Sequence, residues 1–289
     1  MVVGGFAVEI SIFFLFAVSA YLAYKIKKLD FLIYATIFAF IFENIGVYFS
    51  GNISGYVYSG DFLVYLFGVP LFVILAWGIL LLGAHLVSLR LHMSKISRVF
   101  FVAFFVTLVD FVIEGVSVNL GYWFWLGAGA GGGIFSSIVP SNFVGWLGVS
   151  FGFILCYEYF DRKWLSMFVG YFALLFLATI FELMNWVFGF SGGERYISLG
   201  VILFGFIGFW IYFYHKNRIL KRNKKDFRVN FRYAKYIVFM RFIFYSFAIF
   251  YFFQNGYYLD LSYLGIVFFV VFLEAYFFLR FDGFVKKQV

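Results

Sequence analysis

The sequence predicts an all-α, polytopic integral membrane helix bundle of about nine transmembrane helices, and three observations support that class. Apolar runs of about 20 residues recur along the whole chain, each long enough to cross a ~30 Å hydrocarbon core as a helix. Hydrophobic residues make up 65% of the chain and charged residues 12%. Mean hydropathy is +0.98, far from the profile of a soluble domain. Basic residues also gather in alternate connections between the runs, as the positive-inside rule requires of a multi-pass protein.

Nine spans follow in order, at about 4–24, 31–49, 62–87, 99–118, 143–160, 164–189, 196–214, 236–253 and 259–280. Together they form a single transmembrane domain over 1–289. The first run has no basic region before it, carries Glu9 and is followed by Lys25, Lys27 and Lys28. That is the reverse of a secretory signal, so it reads as a retained span. Of the 22 Lys and Arg residues, only Arg195 falls on the side opposite the basic connections. The expected placement is therefore multi-pass in the cell membrane, with the N terminus outside and the C terminus cytoplasmic. The most basic loop, His215 to Lys235, reads as a topogenic and lipid-headgroup segment. The net charge of +8 thus reports topology, and no nucleic-acid partner is expected. A lone Cys156 excludes an intrachain disulfide framework. His85, His92 and His215 sit at span ends without ligand spacing, so neither a metal nor a cofactor is expected. The glycine-rich stretch from Gly127 to Gly133 lacks the following Lys-Ser/Thr of a phosphate loop. Gly148 and Gly152, four apart on the fifth span, suit close helix packing.

Two stretches share one plan. Glu43 and Asn44 near the end of one apolar run are followed by Gly55-Tyr56-Val57-Tyr58, then Pro70 and Trp77 open the next. Glu114 is followed by Gly121-Tyr122-Trp123-Phe124-Trp125, and Pro140 and Trp146 open the run after that. The Glu-to-Pro spacings are 27 and 26 residues, and the chain has only 2 prolines. The pattern reads as an internal parallel duplication of a helix–loop–helix unit, at about 31–87 and 99–160. Each unit would present carboxylates and aromatic rings near one membrane face.

Depth sorts the acids. At about 1.5 Å per residue, Glu43 lies about 18 Å into its span. Asp110 and Glu114 sit at similar and greater depth on the fourth span and, four residues apart, share one helix face. Glu9 and Glu182 fall near outer span ends, whereas Glu274 falls in the inner half. A buried carboxylate is neutral, paired or facing a wet cavity, because an isolated charge there costs several kcal/mol. Two neighbouring carboxyls resist losing both protons, so at least one of Asp110 and Glu114 is expected to be protonated at neutral pH, a Brønsted acid. For Glu9, Glu182 and Glu274 the simpler reading is contact with interfacial water or a neighbouring helix. The repeated setting favours a site at Asp110, Glu114 and Glu43. Tyr56, Tyr58, Trp123 and Trp125 follow the acids, and rings folded over them would stabilise a cation; the competing reading is an interfacial aromatic belt.

These residues resemble a family. Asp110-x-x-x-Glu114, Gly121-Tyr122-Trp123-x-Trp125 and Val139-Pro140-x-Asn142-Phe143-x-Gly145-Trp146 are similar to the signature of membrane carotenoid-biosynthesis hydratases. Those include the bisanhydrobacterioruberin and γ-carotene hydratases. Glu43-x-x-Gly46, Gly55-Tyr56-x-Tyr58, Gly68-Val69-Pro70 and Trp77 resemble the family's upstream block. The resemblance spans about residues 40–190. Gly115 stands where a proline is expected, the glycine-rich insert lengthens the second loop, and the last two spans match nothing in the pattern. The resemblance implies cofactor-free addition of water across a terminal isoprenoid double bond. On that chemistry Asp110 and Glu114 would be the acid and the water-orienting group, in either order, with Glu43 as a second polar wall and Asn142 as a hydrogen-bond partner. Tyr56, Tyr58, Trp123 and Trp125, with Trp146, would bind the substrate, an isoprenoid lipid entering from the bilayer.

Two readings from other classes stay open. A proton- or cation-coupled transporter would use the same acids, although it favours midplane sites and often an inverted repeat. A non-catalytic lipid-binding subunit would use them only to join helices.

Overall fold

The computed structural model describes residues 5–49, 55–126, 138–218 and 231–286. The glycine-rich stretch 127–133 and most of the basic loop after His215 lie outside them. The chain forms α1 (Gly5–Lys25), α2 (Leu29–Phe49), three short strands, and then α3 (Leu71–Arg90) and α4 (Lys95–Asn119). The strands are β1 (Tyr56–Tyr58), β2 (Tyr65–Leu66) and β3 (Val69–Pro70). After α4 come β4 (Trp123–Trp125), α5 (Pro140–Tyr159), the single turn α6 (Ser166–Val169) and α7 (Tyr171–Phe188). Three long helices end the chain: α8 (Arg195–Arg218), α9 (Phe231–Gln254) and α10 (Leu261–Lys286).

The fold is the all-α polytopic bundle the sequence predicts. Among the described residues eight helices are long and apolar enough to cross a membrane. The expected fifth span, α5, falls short on composition: Ser141, Asn142, Ser150 and Glu158 dilute its apolar content. It packs against α4 and α7. The expected third span begins later than residue 62. Residues 62–70 instead form a turn and the β2–β3 pair, with Tyr65 opposite Pro70. Pro70 immediately precedes α3 because a residue without an N–H is cheapest at a helix start. The other proline, Pro140, is the first residue of α5 for the same reason.

The centre of the bundle is the α3–α4 pair, 78% and 83% buried over their apolar windows against 44% or less in the other candidate spans. A membrane gives little hydrophobic drive for helix association, so close approach and polar contacts decide the packing. A Cβ added to Gly148 would stand 2.8 Å from the Leu174 Cα, and one on Gly152 would stand 2.8 Å from the Ala173 Cβ. The small residues on α5 therefore admit α7.

Polar contacts fasten the rest. Arg98 forms a two-pronged pair with Glu158, at 2.8 and 2.7 Å, joining α4 to α5. Arg241 on α9 differs from its sequence assignment with the inward basic residues, because it is wholly buried. It pairs with Glu274 of α10, to which Tyr245 also donates at 2.8 Å. Its remaining N–H groups reach the carbonyls of Leu80 on α3 and Phe105 on α4, at 2.9 Å each. Glu274, left apart from the other acids by depth, is thus the counter-ion that lets an arginine tie four helices together.

Arg241→Met would strand the Glu274 carboxylate in the core and is expected to destabilise the bundle by about 3–5 kcal/mol, whereas the double change with Glu274→Met recovers most of that loss. Thermal unfolding in detergent micelles measures both, and equal losses in the single and double variants would contradict the pairing.

Candidate functional site

The two aromatic loops meet. β1 and β4 pair antiparallel, with Tyr56 opposite Trp125, Val57 opposite Phe124 and Tyr58 opposite Trp123. Leu126 N–H to the Gly55 carbonyl at 2.7 Å and Ser59 N–H to the Tyr122 carbonyl at 2.9 Å extend the ribbon at both ends. Gly121, at φ +74°, makes the turn from α4 into β4. Because strand side chains alternate, Tyr56, Tyr58, Trp123 and Trp125 share one face of the ribbon. Val57 and Phe124 take the other and are exposed.

The shared face lies over the acids. Glu43, buried near the end of α2, accepts from the Tyr56 hydroxyl, from the Tyr58 hydroxyl at 2.9 Å and from Trp77 Nε1 at 2.7 Å. Glu114, buried on α4, accepts at Oε1 from Trp123 Nε1 at 2.9 Å and Trp125 Nε1 at 2.5 Å. Asp110, one turn earlier and wholly buried, accepts at Oδ2 from Asn142 Nδ2 at 2.7 Å. Asn142 stands in the first turn of α5 because Pro140 starts that helix two residues before it. Asp110 and Glu114 stand one turn apart on α4, close enough to feel each other's charge and that of Glu43, and Asp110 Oδ1 is buried without a hydrogen-bond partner. All three acids therefore share one pocket of charge whose partners are phenols, indoles and an amide.

The rings reach the acids through their polar edges rather than their faces. Tilted and edge-on ring contacts then join the loops to each other, with ring centroids 5.0 Å apart for Tyr56 and Trp125 and 5.9 Å for Tyr58 and Trp123. Trp146 does not touch an acid. It stacks on Trp77 at 4.0 Å, placing the two tryptophans that follow the two prolines against one another. Trp77 bonds Glu43 more closely than Tyr58 does, at 2.7 against 2.9 Å, and its place after Pro70 was the available signal. Gly46 is the other omission. One turn beyond Glu43, a Cβ there would stand 2.9 Å from the Tyr56 hydroxyl oxygen, so its missing side chain leaves room for that phenol.

The remaining outer acids are elsewhere. Glu9 accepts from the backbone N–H of Leu63 at 2.7 Å and of Val64 at 3.4 Å, holding the turn before β2. Glu182 pairs with Arg195 across the exposed end of α7 and α8. Glu182 thus meets a neighbouring helix, as the simpler reading has it, whereas Glu9 meets loop backbone instead.

A family model described as carotenoid biosynthesis protein matches residues 5–207. That range runs from α1 into α8 and includes every residue of the site. No curated protein and no solved structure matches the chain.

Burial, and then the charge of Glu43, push the Tyr56 and Tyr58 phenols well above the ordinary tyrosine range. They remain protonated donors at any pH the protein meets. In an ultraviolet difference titration, Glu43→Gln is expected to let two phenolates form at lower pH than in the unaltered protein, because the repelling carboxylate is gone. Both should still titrate above exposed tyrosines, since burial persists. Identical titration curves would place the phenols away from Glu43.

Proposed function

The chain belongs to the carotenoid biosynthesis protein family, and on that premise we propose that it is a membrane-embedded hydratase. It adds water across the terminal C=C bond of an acyclic isoprenoid chain, with a carotenoid as the substrate class. One observation supports this most: two carboxyls one helical turn apart, Asp110 and Glu114, are buried among neutral hydrogen-bond donors. A trisubstituted alkene has no polar handle, so its hydration needs a carboxylic acid strong enough to protonate carbon and a neighbouring base for water.

The donor count distributes the roles. Glu114 takes two indole N–H groups and Glu43 takes two phenols and an indole. Such bonds favour an anion. Asp110 receives one amide donor and is assigned the shared proton.

In the first step the Asp110 O–H bond breaks. The alkene π pair takes the proton at the less substituted carbon, forming a C–H bond and a tertiary carbocation. A water oriented by Glu114 then supplies an oxygen lone pair to the cation, and its surplus proton passes to Glu114. Transfer from Glu114 back to Asp110 restores the starting state, so the net change is the addition of one water. The carboxylates of Asp110, Glu114 and Glu43 stabilise the cation electrostatically. The ring faces of Tyr56, Tyr58, Trp123 and Trp125, with the Trp77–Trp146 stack, would add about 0.5–2 kcal/mol per well-placed ring. Asn142 holds Asp110 in position, and no cofactor is invoked. Substrate enters laterally from the bilayer, with the N terminus of the protein outside and the C terminus cytoplasmic.

Expression in a host supplied with acyclic carotenoids and labelled water should yield a labelled tertiary alcohol, detected by mass spectrometry of extracted lipids. Asp110→Asn and Glu114→Gln are each expected to lower that yield per folded protein by about 10²–10⁴-fold. A variant that folds and hydrates normally would remove its residue from the mechanism. Absence of labelled alcohol with folded, unaltered protein would reject the hydratase reading.

A further inference from the structure

Three contacts from the C-terminal hairpin, α9 and α10, land on backbone carbonyls beside the site. Arg241 reaches the carbonyl of Leu80, three residues beyond Trp77, and that of Phe105, five residues before Asp110. The third contact is the most pointed. The Tyr263 hydroxyl donates to the Val112 carbonyl at 2.5 Å, and Val112 lies midway between Asp110 and Glu114 on α4. This hairpin lies beyond residue 207, where the family match ends.

We propose that Tyr263 is a positioning residue for the Asp110–Glu114 carboxyl pair, acting through the Val112 carbonyl. The inference rests on the hydratase reading for its catalytic consequence, but the geometry stands without it. In an α-helix the carbonyl of residue i accepts the N–H of residue i+4. The Val112 carbonyl therefore belongs to the rung that closes on Val116 and spans Glu114. A phenol donating to the same oxygen shares that acceptor and fixes the tilt of the peptide between the two acids. Few other groups could do so inside a membrane, where no bulk water competes for the carbonyl.

The donor is itself held rigidly. Tyr263 is wholly buried and stands in the first turn of α10. Asp260 Oδ1 caps that turn, accepting the N–H groups of Ser262 and Tyr263 at 3.1 Å each. The ring packs edge-on to Phe252 of α9 at 5.3 Å, and the Arg241–Glu274 pair locks α9 to α10. Rigid support of this kind gives a donor positional authority, since small displacements of a reacting group carry large rate costs. A site that must aim a carboxyl proton at one carbon of an apolar chain depends on such alignment.

Tyr263→Phe keeps the ring and deletes only the donor. Tyr157→Phe is the control: it deletes a buried phenol bonded at 3.3 Å to Asp30, at the opposite end of α5 from Asn142. Turnover and KM for hydration are measured per folded protein. The carboxylic-acid stretch is followed by infrared spectroscopy during a pH titration, with the band assigned by its loss in Asp110→Asn. The expected result is a kcat about three- to tenfold lower in Tyr263→Phe, with KM unchanged and the carboxyl titration displaced. Tyr157→Phe should alter neither. Wild-type kcat and titration in Tyr263→Phe, with only the unfolding temperature lowered, would overturn the proposal and leave a purely structural bond. If the unaltered protein hydrates nothing, the functional reading fails, and the infrared arm alone decides this one. A displaced titration supports positioning and an unmoved one rejects it. Should Tyr263→Phe not fold, a fluorinated tyrosine at 263 strengthens the donor without removing it, and the same two readouts apply.

Discussion

Carboxyl groups inside a low-dielectric bundle must be given hydrogen bonds, and that requirement organises the half of this molecule that carries the ribbon. An unsatisfied acid there costs several kcal/mol. Lysine or arginine could meet the demand, but a salt bridge would fix each carboxyl as an inert ion. The chain supplies neutral donors instead: two phenols and an indole to Glu43, two indoles to Glu114 and an amide to Asp110. Neutral donors satisfy a carboxyl without cancelling its charge, leaving its proton free to be exchanged. The β1–β4 ribbon delivers the two phenols and the two indoles on Glu114, since an extended segment puts alternate rings on one face, while α3 and α5 supply Trp77 and Asn142.

The rest of the bundle solves the same problem in the opposite way. Arg98 with Glu158, and Arg241 with Glu274, are complete ion pairs, each buried and each joining separate helices. Breaking such a pair from one side is costly, which makes it a good fastener and a poor acid. His85 stacks on Phe31 at 4.7 Å and lies 3.7 Å from Glu158, so it belongs to the same fastening. The molecule thus separates its buried carboxyls into those paired with arginine, which hold helices together, and those held by neutral donors. The C-terminal hairpin connects the two halves, because Arg241 and Tyr263 both end on carbonyls of the helices that carry the site.

Family membership and site geometry converge on this arrangement from different directions. The family match covers α1 to the first half of α8, which contains the acids and the ribbon. The remaining helices supply support from behind α3 and α4. Gly46 illustrates how tightly the parts are fitted, since one added carbon would press on the Tyr56 hydroxyl and weaken its bond to Glu43.

The sequence by itself determined the class and the cast. Composition and run length made a helical membrane bundle unavoidable, because the backbone must satisfy its own hydrogen bonds in lipid. The matched spacing of Glu43 to Pro70 and Glu114 to Pro140 singled out the acids and rings that the structure gathers. Depth alone could not sort the acids fully: Glu9 and Glu182 lie at the same level as the site but face a turn and an arginine. Which way a residue faces around its helix, and what meets it there, is a long-range property. Only the tertiary structure paired β1 with β4, setting Tyr56 opposite Trp125 and Tyr58 opposite Trp123 although the strands lie far apart in sequence. It alone set Trp77 on Glu43 and brought Arg241 and Tyr263 from the far end of the chain. Those contacts arise from packing between helices, and no local periodicity encodes them.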